Sequence, residues 1–152
     1  MRSTIGATFG LALILSIFSV WRADASTLAA TLDRFGFEGT FASHCDQPAS
    51  PGNIHRSISV SARGDAEFIE RFGDTYDPNV YEVQSARLKG RDTLVLGVQL
   101  NQTAQELTIR KSGNRMRTMQ NRASDGTLRV KDGRVVATGQ STSWLTHCQG
   151  AE

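Results

Sequence analysis

Apolar residues recur at every second position through most of the chain. In Thr93–Leu100, residues Leu94, Leu96, Val98 and Leu100 fall on one side and Thr93, Gly97 and Gln99 on the other, the period of a half-buried β-strand. Ile58, Val60 and Ala62 repeat the pattern against serines, and Leu107 and Ile109 alternate with charged or hydroxyl neighbours. The stretches 114–121, 128–130 and 134–139 are further strand candidates. So is 66–73, where Phe68 and Phe72 also suit a helical turn but the flanking turns leave too little length. Turn signals separate these runs at 63–65, 89–92, 111–114, 124–126 and 131–133, each holding a glycine. Such short spacing predicts hairpin after hairpin, an antiparallel meander. Only 26–35 has a helical pattern: Leu28, Leu32 and Phe35 stand at i, i+4 and i+7 behind Ser26 or Thr27 as N-cap.

Two stretches, Phe37–Asn53 and Ser141–Cys148, alternate in the same way, and each carries a His-Cys pair containing one of the two cysteines. Their chemistry depends on the compartment. Residues 1–25 open with Arg2, continue through an uncharged apolar run and close on Ala23-Asp24-Ala25, the layout of a cleavable export signal. The run is shorter than the roughly 20 apolar residues a membrane anchor needs. A signal peptide over 1–25 and a single domain over 26–152 are therefore expected, with no stable anchor after cleavage and a periplasmic or secreted destination. In an oxidising compartment, Cys45 and Cys148 most simply form one disulfide. It would tie the first strand to the last. The expected fold is thus all-β: a meander of about eight strands closed into a small barrel, with a short N-terminal helix. A two-sheet β-sandwich has a similar strand count and is the alternative.

If both cysteines are buried inside, parity assigns the faces. Phe37, Gly39, Phe41 and Cys45 then point inward, as do Thr142, Trp144, Thr146 and Cys148. His44 and His147 fall on the outer face near Asp46, but no third ligand has a recognisable spacing, so no metal is expected. Met116 and Met119, three apart on a strand, face opposite ways and make no copper pair. In the same strand Arg115 and Arg117 share one face with Met119, and Met116, Thr118 and Gln120 share the other. If the second set looks inward the interior is semi-polar there, and if the arginines do they could grip a carboxylate or phosphate; the plainer alternative is an ordinary strand near the barrel mouth with its arginines in water.

The 17 basic and 15 acidic residues become 15 and 14 once Arg2, Arg22 and Asp24 are removed. A net charge of +1 argues against a nucleic-acid binder. The charges are unevenly placed, with six carboxylates over 65–82 and eight cations over 110–134. No G-x-S-x-G, H-E-x-x-H, phosphate-loop or dinucleotide pattern occurs, and the bridge consumes both thiols. No enzyme and no cofactor are expected.

Gly39-x-Phe41, with Trp144 near the other end, resembles the lipocalin G-x-W entry, in which an aromatic plugs the closed end of an eight-stranded barrel; this chain has Phe41 in place of the tryptophan. The longer segment 39–53, of the form G-x-F/W-x-x-x-C-x-x-P-x-S, resembles one found in small exported bacterial proteins of unknown function. That likeness implies a secreted β-domain. The expected role is binding. A small amphipathic or anionic ligand would sit inside the barrel between Phe41, Tyr81 and Trp144, with Arg115 or Arg117 as its polar anchor. The rival is a protein-facing role, as an envelope factor or hydrolase inhibitor that uses the basic stretch and the loop after Cys45.

Overall fold

The structure, a computed structural model, describes residues 25–149. The export signal lies outside the described residues except for Ala25, which begins helix α1 (Ala25–Phe35). Leu32 and Phe35 are buried and Leu28 packs against the core, as their spacing predicts. The helix stops at Gly36, which has φ +66°. The Gly36 N–H donates to the Asp33 carbonyl and the Phe37 N–H to that of Leu32. This pair of bonds satisfies two orphan carbonyls and directs Phe37 back under the helix.

Ten strands follow: β1 (Gly39–Ala42), β2 (His55–Val60), β3 (Ala66–Arg71), β4 (Asn79–Leu88), β5 (Thr93–Leu100), β6 (Thr103–Ser112), β7 (Arg115–Ala123), β8 (Leu128–Lys131), β9 (Arg134–Val135) and β10 (Leu145–Cys148). From β1 to β9, each pairs antiparallel with the next. β10 closes the sheet by pairing with β1 on one side and β7 on the other. Eight strands therefore form a closed antiparallel barrel, and a sandwich is ruled out by that double pairing. β8 and β9 stand outside the ring. They extend the far half of β7, pairing at Asn121 and Arg122, while β10 takes its near half at Arg115 and Met116.

Most strand expectations hold, and the ambiguous 66–73 forms a strand over Ala66–Arg71. The candidate at 134–139 shortens to the two residues of β9, and Ala62 lies in the turn after β2 rather than in the strand. β4 was not expected. Its inward residues are Tyr81 and Val83 before a bulge at Gln84, then Ala86 and Leu88 after it. The extra residue shifts the alternation by one and hides it from a period-2 search.

The register gives the barrel two ends, marked by the strand residues that reach them. The helix end holds Gly39, Leu88, Thr93, Arg115 and Cys148; the far end holds Ala42, His55, Asn79, Leu100, Thr103 and Ala123. Between them the barrel is filled. Phe37, Phe68, Leu94, Leu96, Val98, Ile109 and Met116 are all under 2% exposed, and burial of each such side chain contributes about 1.5–3 kcal/mol.

Candidate functional site

Cys45 and Cys148 are bonded, with their Cα atoms 5.3 Å apart. Such a bridge belongs to oxidising, non-cytoplasmic compartments, and no described helix is long and apolar enough to cross a membrane. The bridge nonetheless lies on the outer face. In the β1–β10 register Phe41 pairs with His147 and Thr40 with Cys148; Phe41 is in the core, so Cys148 points outward. Cys45 lies beyond the end of β1, where strand parity no longer applies, and its loop folds back over the sheet. The expected inward face of the last cassette is thus reversed. His147 is inside with its ring centroid 4.8 Å from that of Phe41, while His44 is exposed in the β1–β2 connection. The two histidines share no face.

The five expected ligand residues separate into two groups. Phe41 and Tyr81 are core residues linked through Phe37 and Phe68, with successive ring centroids 5.9, 6.5 and 5.3 Å apart. Trp144 lies on the outer face, with the guanidinium groups of Arg115 and Arg117 stacked on its ring at 5.6 and 5.4 Å. Arg117 also donates to the Gly133 carbonyl, pinning the β8–β9 hairpin against β7. On that strand Met116 and Thr118 do face inward, and the bulge between Thr108 and Ile109 sets Gln120 opposite outward Thr108.

The helix end contains a cavity of about 300 Å³ lined by Phe35, Phe37, Phe41, Lys111, Asn114, Met116 and His147. Its walls are aromatic and its polar groups sit at the rim. The Lys111 ammonium donates to the Phe35 carbonyl at 2.7 Å and lies 5.6 Å over the Phe35 ring, keeping two further N–H donors. Its full positive charge outweighs the half-charge of the helix C-terminus. His147 Nε2 is 3.2 Å from the Glu38 carbonyl. That contact explains Gly39: its φ is +105°, and a Cβ there would collide with His147 Nε2. The glycine of the G-x-F pattern makes room for the histidine ring.

The far end is polar. Arg56 Nε donates to Glu70 Oε1 at 2.9 Å, Arg56 Nη1 donates to the Thr118 hydroxyl at 2.9 Å, and the guanidinium lies over Phe68. Glu70 Oε2 accepts from the Tyr81 hydroxyl at 3.1 Å and from the Asn79 amide at 3.3 Å. Burial, and then the adjacent Glu70 carboxylate, push the Tyr81 phenol far above its ordinary range, so it stays neutral and donates. A cleft of about 260 Å³ between the β1–β2 connection and residues 135–145 reaches Arg56.

The β1–β2 connection is stiff because buried Asn53 accepts from the His44 N–H and donates to the carbonyls of His44, Gln47 and Pro48. Sequence reading missed Lys111, His147, Arg56, Glu70 and Asn53 as site or framework residues. For two of them the signal was present: Arg56 shares a parity with Ile58, and Glu70 with Phe68. No protein-family model matches the chain, and neither a curated protein nor a solved structure matches it.

Proposed function

We propose that the protein is a non-enzymatic binding protein of the periplasm or the extracellular space that holds a small amphipathic anion at the helix end of its barrel. The observation that carries this reading is the cavity that sets Lys111 at the rim of a pocket walled by Phe35, Phe37, Phe41 and Met116. An apolar body would lie against the aromatic walls and a carboxylate against the ammonium. At about 300 Å³ the space is at the small end of ligand pockets, which favours a medium-chain or aromatic carboxylate. Of the residues expected to bind, Phe41 lines this cavity. Tyr81 supports it from behind through Phe68.

The test is an NMR titration with octanoate and, as uncharged control, octanol. Octanoate should move the Met116 methyl and the Phe41 and His147 ring signals. Lys111→Met should weaken octanoate binding about tenfold or more, the loss of one charge-assisted hydrogen bond worth about 1.5–3 kcal/mol, and leave octanol unchanged. Equal binding by Lys111→Met and wild type would defeat the proposal.

A protein-facing role is the second reading, favoured by the outward Arg115–Trp144–Arg117 stack beside the stiff Cys45 loop. Because Trp144 is outside, Trp144→Ala distinguishes the two: it should spare octanoate binding and weaken an exterior partner.

A further inference from the structure

We propose that the far end of the barrel interior is a second binding site, for a small uncharged polyhydroxylated molecule of the polyol or monosaccharide kind. Polar side chains project inward there from β2, β3, β4, β6 and β7, and part of the group is already satisfied. Glu70 accepts from Arg56, Tyr81 and Asn79, and Arg56 also donates to Thr118.

The rest is not. Gln105 is 5% exposed, yet neither its amide nitrogen nor its amide oxygen has a partner among the described residues, and Asn121 Oδ1 has none either. The register sets Leu107 opposite Asn121 and Gln105 opposite Ala123, so the two amides are successive inward positions on adjoining strands. Asn121 follows Thr118 along the inner face of β7, which connects the amides to the Arg56–Glu70 pair. Buried amides without partners are costly, and native interiors keep few of them. A ligand that both donates and accepts resolves that cost.

Charge narrows the ligand class. Glu70 lies 2.9 Å from Arg56, so the pair presents no net charge. An added anion would face Glu70 and an added cation would face Arg56, each paying a desolvation penalty. Hydroxyl groups suffer neither penalty and match an amide at both of its atoms. The cleft that reaches Arg56 counts Ser43, Ser141, Thr142 and Ser143 among its lining, hydroxyl groups that suit the same class of ligand. The site stands at the opposite end from the Lys111 cavity and depends on different residues.

The test is a ¹⁵N-resolved titration of the intact, oxidised protein with glycerol, D-glucose and sodium acetate, reading the side-chain amide signals of Gln105 and Asn121. Glycerol or glucose should move both signals at concentrations up to about 10 mM, acetate should move neither, and the Lys111 and His147 signals should stay in place. Gln105→Leu keeps the volume and removes the unpartnered amide, so it should fold at least as stably as wild type and weaken the Asn121 response at least about tenfold. Should Gln105→Leu fold poorly, Asn121→Leu read at Gln105 gives the same comparison. Amide signals that ignore both polyols, that respond equally to acetate, or that respond undiminished in the leucine variants would overturn the proposal.

Discussion

Closure of the barrel rests on a strand of only four residues, β10. β10 pairs with β1 at three positions and with β7 at two, whereas β5 and β6 pair at eight. β10 is therefore weakly held on both sides, and the Cys45–Cys148 bridge ties it to the β1 side. The bridge spans 103 residues of sequence. In the chain-entropy description, closing a loop of that length raises the free energy of the unfolded chain by about 4.7 kcal/mol. A domain of this size has a total stability of about 5–15 kcal/mol, so removing the bridge takes a large share of it. In Cys45→Ala with Cys148→Ala the urea midpoint should fall by the equivalent of about 3–5 kcal/mol. The loss should begin locally. Hydrogen exchange at 39–42 and 145–148 should quicken before that of β5 and β6, because without the crosslink β10 detaches at the cost of only five paired positions. Since Phe41 and His147 wall the helix-end cavity, octanoate binding should weaken under conditions where the fold persists. A loss below about 1 kcal/mol, or exchange that accelerates evenly across the barrel, would refute the view of the bridge as the lock on β10.

Tyr81→Phe removes the hydroxyl that donates to Glu70 and should cost about 1.5–3 kcal/mol near neutral pH. Burial and Glu70 raise the folded-state pKa of this phenol above its unfolded value near 10, so its contribution is fully present below that pH and fades as pH rises beyond it. Wild type should thus lose stability above about pH 10 more steeply than Tyr81→Phe, as read from urea midpoints over an alkaline series; parallel curves would contradict this. Gly39→Ala places a Cβ against His147 Nε2 at a backbone φ of +105° and should destabilise the fold by more than about 1 kcal/mol. It should also displace the His147 ring signals while leaving those of Tyr81 in place.

How much of this was legible in the sequence depended on whether alternation ran unbroken. β5 keeps Leu94, Leu96, Val98 and Leu100 in phase and is bounded as the pattern predicts. β4 also turns four residues inward, but the bulge at Gln84 moves the inward set from Tyr81 and Val83 to Ala86 and Leu88, and no single parity describes it. The disulfide pairing and the barrel were readable because two distant cassettes held the only cysteines. The faces of the last strand were not. Parity was anchored on the supposition that a buried bridge lies inside, whereas Cys148 is buried by the Cys45 loop from without. One wrong anchor inverted Trp144 and His147 together, since strand faces have period two. Arg56 and Glu70 illustrate a different difficulty. Each stands alone among apolar residues of its own strand, and only the β2–β3 register, which places them opposite one another, shows that two interior charges neutralise each other.

The same register explains why the two ends differ in chemistry. At the helix end the inward positions of β7 and β10 are Met116, Leu145 and His147, and the helix supplies Phe35 and Phe37, so the interior there is apolar with its one cation at the rim. Moving along β7 toward the far end, inward Met116 gives way to Thr118 and then, past the bulge, to Asn121. The lumen becomes polar where no helix covers it. An interior ion pair is a weak source of stability, because desolvation offsets most of its attraction, and here it sits on the Phe68 ring with three further hydrogen-bond partners. Apolar side chains at those positions would pack the end shut. What Arg56 and Glu70 maintain instead is a charge-balanced pair whose arginine reaches a cleft lined by Ser43, Ser141, Thr142 and Ser143, the arrangement that the proposed polyol site requires.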